Sequence, residues 1–153
     1  MADYGAEAAV MTSSTSAPLE IRRVIAAPTE EVFAAWLDQD GMRQWFSPTG
    51  LATVTADFRP GGSFRLVIAD ENVSIDATGV FRVIAPPQLL VFTWRSRYTG
   101  GRDTLVTIRL TSHGPSNTEI DLTHEQLPVD QVRPHTWGWT RILEHLDAYL
   151  ARK

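Results

Sequence analysis

The chain has 153 residues, 43% of them hydrophobic, with 14 basic and 18 acidic side chains and a net charge of −4. That is enough apolar mass for one domain with a full core, and 13 of the 14 basic residues are arginines scattered along the chain, which excludes a phosphate grip built from clustered cations. The sequence has no cysteine, hence no disulfide framework and no thiol nucleophile. No apolar run approaches the roughly 18 residues needed to span a bilayer. The N-terminal residues lack the basic start and apolar centre of a signal peptide, so a cytoplasmic protein is expected.

Residues 1–17 are small and polar and lack a periodic apolar face, which predicts a disordered tail ahead of a single domain over 18–153. Leu19 to Ala26 is β-branched enough for a first strand. Pro28 suits a helix start, Glu30 and Glu31 complement its positive end, and Val32, Phe33, Trp36 and Leu37 recur at helical spacing. Asp38 is an N-cap candidate for a second short helix carrying Met42, Trp45 and Phe46, with Pro48 and Gly50 as its stop.

The period then changes from 3.6 to 2. Strands are expected over 51–58, around Phe64, Leu66 and Ile68, over 73–84, 89–97 and 104–111, and over 118–125. They are separated by Pro60-Gly61-Gly62, by the acidic turn at 70–72, by Pro86-Pro87, by Gly100-Gly101 and by the turn at 113–117. Gly79 should mark a bulge or bend. Residues 131–152 read as one long helix, with Asp130 as a cap and Pro134 predicting a bend or a slightly later start. With Trp139 at zero, Ile142, Leu143, Leu146, Tyr149 and Leu150 fall within about 120° of one another, and His135 projects onto the same arc. Trp137 falls on the polar side. Gly138 sits mid-helix, where glycine is unfavourable, which implies a need for space towards the sheet, met either by a cavity or by a close helix–sheet contact.

One strand, two short helices, six further antiparallel strands and a long helix make an α+β architecture. It is expected as a curved antiparallel sheet of about seven strands wrapped around the last helix. Ala27-Pro28, Val32-Phe33 with Trp36, Trp45-Phe46 with Pro48, the run from Pro60 to Phe64, and Gly79-Val80-Phe81 with Pro86-Pro87 occur in a recognisable order. The segment Leu90 to Trp94, Leu122-Thr123-His124, and His135 with Gly138-Trp139 complete it. Together these residues resemble the helix-grip fold of the START/birch-pollen-allergen superfamily. Within it they resemble the domain family named after the activator of the heat-shock-protein-90 ATPase.

The resemblance implies a hydrophobic cavity between sheet and helix. The expected ligand-binding residues are Trp45, Phe64, Leu66, Phe92, Trp94, Ile108, His124, His135, Trp139 and Leu143. No nucleophile elbow, phosphate loop or metalloprotease helix is present, so no catalytic residue is assigned. His113 and His145 do not converge with the other two histidines, so neither a metal nor another cofactor is expected. The leading expectation is a binding module that sequesters or carries a small apolar molecule. The alternatives are a cyclase- or hydratase-like enzyme using His124 or His135 and a chaperone-activating protein-interaction domain. The expected partner is a small hydrophobic molecule, with a protein partner or a homodimer as the alternative, and neither nucleic acid nor a membrane span.

Overall fold

The computed structural model describes residues 18–47, 52–69 and 74–152. The N-terminal tail, the Pro48–Gly50 stop and the acidic turn at 70–72 therefore lie outside the described residues. Strand β1 covers Leu19–Ile25, followed by helices α1 (Thr29–Ala35) and α2 (Gln39–Trp45). Strands β2 (Thr53–Ala56), β3 (Ser63–Ala69), β4 (Ser74–Ala85), β5 (Leu89–Trp94), β6 (Thr104–Ser112) and β7 (Thr118–Glu125) precede the long helix α3 (Val132–Ala151). The sheet is antiparallel in the order β1-β7-β6-β5-β4-β3-β2. Strands β2 to β7 thus form a meander, and β1 closes its far edge. This is the helix-grip arrangement, an open curved sheet with one long helix across it.

The local causes are legible residue by residue. Pro28 sits at the cap of α1 with φ −61° and ψ 150°, a geometry its ring presets. The α2 cap is Asp38, whose carboxylate accepts the Gly41 N–H at 3.1 Å. Gly79 lies opposite Phe64 in the β3–β4 ladder. A Cβ there would stand 1.9 Å from the Thr93 carbonyl oxygen and 2.4 Å from the Phe64 ring. Only glycine lets these two neighbours close over the strand, and the β4–β5 register shifts just beyond, between Phe81 and Val83.

One expectation about α3 is corrected. Asp130 does not cap it: Val129–Gln131 form a 3₁₀ turn that runs into the helix, and Gln131 occupies the cap position without a side-chain bond. The helix starts at Val132, one residue after the expected Gln131, and Pro134 does not interrupt it, because it falls in the first turn, where the missing N–H would have had no intrahelical partner. The buried face of α3 carries Trp139, Leu143, Leu146 and Leu150, and Arg23 of β1 pairs with Asp147 at 3.0 Å. Among the described residues, no helix is long and apolar enough to cross a membrane.

Candidate functional site: an aromatic cavity and a buried histidine network

Antiparallel register sets the side chains on the covered face of the sheet in rows. One row runs Phe81, Phe92, Val106, His124 and Leu19 across β4, β5, β6, β7 and β1. The next runs Leu90, Ile108, Leu122 and Ile21. Above the β2–β5 end of these rows, the residues following α1 and α2 supply further aromatics and α2 itself supplies Met42. They enclose a cavity of about 20 Å³ lined by Trp36, Met42 and Phe46, by Val54, Ala56 and Phe58, by Phe64 and Leu66, and by Phe81, Leu90, Phe92 and Trp94. That volume suits a single water molecule. None of the lining side chains is charged, and seven are aromatic. Phe64 meets Phe81 and Phe92 at ring-centroid distances of 5.4 and 5.5 Å, within the range for favourable edge or offset contacts.

Of the ten residues expected at the site, Phe64, Leu66, Phe92 and Trp94 line this cavity. Two more back its wall. Trp45 packs 4.8 Å from Trp36 and stacks at 4.6 Å on Phe46. Trp139 packs 5.1 Å from Trp94 and 6.2 Å from Phe46. Ile108 and Leu143 are buried core residues outside the lining. Gly138 also lies outside it, and a Cβ on Gly138 would meet no atom within 4 Å. The space beside this glycine is therefore neither the cavity nor a close helix–sheet contact.

His124 and His135 form a second group at the other end of Trp94 and Trp139. Trp139 donates its indole N–H to His124 Nδ1 at 3.0 Å. An indole nitrogen can only donate, so Nδ1 is the bare nitrogen and the neutral ring carries its proton on Nε2. That nitrogen lies 2.7 Å from Thr104 Oγ1, and the Thr104 hydroxyl donates onward to the Trp94 carbonyl at 2.6 Å. Every proton in the chain has one place to go. Burial, and secondly the neighbouring His135, push the His124 imidazole down to about 3. His135 donates from Nδ1 to the Gln131 carbonyl at 2.8 Å. Burial lowers its pKa as well, against the opposing pull of that carbonyl. The two rings meet edge to face at 5.3 Å. With both nitrogens engaged and its pKa far below neutrality, His124 is placed to order the core rather than to shuttle protons.

Several residues that matter here gave no functional signal in the sequence. Thr104 completes the histidine network, yet only its register, opposite Trp94 and diagonal to His124, reveals it. Trp36, Met42 and Phe46 fit the amphipathic stripes of two short helices and read as core. His113, in the β6–β7 turn, lies 3.3 Å from Glu119 of β7. Among the described residues, no three His, Asp or Glu side chains are grouped so as to hold a metal ion.

A helix-grip domain with a small aromatic cavity is thus the class that fold and site define. The family described as activator of Hsp90 ATPase homolog 1-like protein matches residues 26–151, and the chain belongs to it. A comparison with curated proteins finds no match. Among solved structures, the chain is similar to CalU16 from Micromonospora echinospora, with 26% identity, a TM-score of 0.69, and coverage of 86% of this chain and 74% of that one. It is similar to PFC0360w, an HSP90 activator from Plasmodium falciparum, with 25% identity, a TM-score of 0.73, and coverage of 89% and 97%. The protein of unknown function SA2116 from Staphylococcus aureus shares the fold at a TM-score of 0.78 with 14% identity, over 90% and 96% of the two chains.

Proposed function

We propose that this domain binds a small, largely apolar molecule in the cavity between α2 and the β2–β5 end of the sheet. The observation that carries this reading is the wall itself: twelve converging side chains, seven of them aromatic and none charged, the composition of a site for apolar ligands. The cavity volume of about 20 Å³ means that a ligand enters only as the wall yields. Met42, Ala56, Phe58 and Phe64 are the half-buried members, and together they mark the yielding edge. Met42 has the flexibility to move aside. On this reading Phe64, Leu66, Phe92 and Trp94 contact the ligand, Trp45 and Trp139 hold the wall from behind, and Ile108, Leu143, His124 and His135 fix the sheet and helix that carry it.

Titration with naphthalene, followed by ¹H–¹⁵N and methyl NMR, tests the reading. Saturable shifts should concentrate on Trp36, Trp94, Leu66 and Leu90. Ala56→Trp, which plugs the edge opposite Phe64, should abolish them. The absence of any saturable shift up to the solubility of the probe rejects the reading.

A second reading, a protein-interaction domain, is favoured by one observation. Trp137 is 58% exposed on α3, with the Arg141 guanidinium 5.1 Å from its ring centroid. Large exposed aromatics beside arginine are common anchors of protein interfaces. Trp137→Ala should abolish any stimulation of a heat-shock-protein-90 ATPase, and stimulation unchanged by that substitution sinks this reading.

A further inference from the structure

Indole N–H groups are strong donors that buried tryptophans nearly always satisfy. This chain has five tryptophans, and they divide by position. Trp137 is exposed to water, and Trp139 donates to His124. Trp36, Trp45 and Trp94 bury their N–H groups with no hydrogen-bond partner among the described residues. The three lie together: Trp36 and Trp94 both line the cavity, and Trp45 packs on Trp36. Trp36 and Trp94 are 1% and 4% exposed, so bulk water does not serve them.

The rest of the lining offers nothing to pair with them. Its other members are Phe, Leu, Val, Ala and Met, which carry neither a cation nor a strong acceptor. The polar side-chain groups of the lining residues are therefore both donors, set just behind a surface of apolar atoms.

We propose that the ligand of this cavity is a neutral aromatic or alicyclic molecule bearing a carbonyl-type acceptor, whose oxygen takes the N–H of Trp36 or Trp94. The inference rests on the binding reading above and adds the polarity of the ligand to it. Acceptor-free hydrocarbons fill the space but leave the donors unpaired, which forgoes a hydrogen bond. Carboxylates also present acceptors, but they carry a charge into a cavity with no cation to receive it, which is costly.

The test compares three probes built on one ring system: naphthalene, 2-acetonaphthone and 2-naphthoate, at a pH where the last is ionised. Acetonaphthone should bind about tenfold more tightly than naphthalene, the worth of one net hydrogen bond, and should move the indole N–H resonance of Trp36 or Trp94 downfield. Naphthoate should bind more weakly than acetonaphthone. The affinity ratio of acetonaphthone to naphthalene should fall towards one in Trp36→Phe or in Trp94→Phe, whatever either change does to naphthalene binding itself. Equal affinities for naphthalene and acetonaphthone in the wild type, with unmoved indole signals, overturn the inference while leaving the binding reading intact. Tightest binding of naphthoate overturns the neutrality of the ligand. No binding of any of the three overturns both the inference and the reading beneath it.

Discussion

Trp139 donates its indole N–H to Nδ1 of His124 across 3.0 Å, and this bond between α3 and β7 fixes the tautomer of an imidazole that burial, and secondly His135, keep neutral. Protonating His124 would oppose a donor to a donor at Nδ1, in a site already shielded from water. In the unfolded chain the same side chain titrates near its ordinary value of about 6.5, whereas in the fold it is pushed down to about 3.

The sign of the pH dependence follows. Between those two values the unfolded chain binds a proton that the native state does not, so folding stability falls as the pH falls. It is fully present above about 6.5 and declines by up to about 1.4 kcal/mol per pH unit towards the lower value. His135, also lowered, acts in the same direction. Melting temperatures at pH 7.5 and pH 5 should show a clear drop in the wild type. The drop should be smaller in His124→Gln, which keeps an acceptor for Trp139 but cannot titrate. A variant as acid-sensitive as the wild type would place the effect elsewhere.

On α3 the contrast between adjacent positions is a second measurable. Leu146 is fully buried, so Leu146→Ala should cost about 2–5 kcal/mol. The neighbouring Asp147 is not idle, because it pairs with Arg23 at 3.0 Å with its own side chain 26% exposed. Partly exposed pairs contribute about 0–1 kcal/mol, and Asp147→Ala should stay within that. Denaturant midpoints of the two variants check the prediction, and equal losses would put the helix in a different rotation.

The architecture was readable because its signals are local and repeated. Alternation of Phe64, Leu66 and Ile68, the Pro60-Gly61-Gly62 turn and the 3.6-residue stripe of Leu143, Leu146 and Leu150 each specify one element, and the elements join in only a few ways. The site was readable in kind but not in detail. Phe58, Phe81 and Leu90 line the cavity while Ile108 and Leu143 do not, yet all are large apolar residues facing inward. Sequence periodicity gives a side chain its face. It does not say how far along a curved sheet the gap falls. Thr104 was silent for a different reason: its role depends on a diagonal contact between two strands, which exists only once the register is set.

Gly79 carries the sharpest steric prediction. Its missing Cβ would lie 1.9 Å from the Thr93 carbonyl oxygen and 2.4 Å from the Phe64 ring, and the first of these is rigid backbone in the neighbouring strand. Gly79→Ala should therefore force the β4–β5 pair apart and destabilise by at least about 1–3 kcal/mol. Phe64 borders the cavity, so naphthalene binding should weaken with it. A thermal melt that matches the wild type would contradict the close approach.

Gly138 calls for the opposite outcome. It lies within α3, where glycine costs about 0.5–1 kcal/mol relative to alanine because it has more backbone freedom to lose on folding. A position that needed the space would repay that cost through a close contact, and Gly138 has none: a Cβ would meet no atom within 4 Å. Gly138→Ala should therefore stabilise the domain by about 0.5–1 kcal/mol, raising the melting temperature by roughly 1–4 °C for a chain of this size. Gly138→Leu, pointing into the same open space, should also fold. Because Gly138 does not line the cavity, neither variant should change the naphthalene affinity. Differential scanning calorimetry and the NMR titration check both halves. A loss of stability in Gly138→Ala would show that this side of the helix is packed in solution, and a loss of naphthalene binding in Gly138→Leu would move the binding site to the helix.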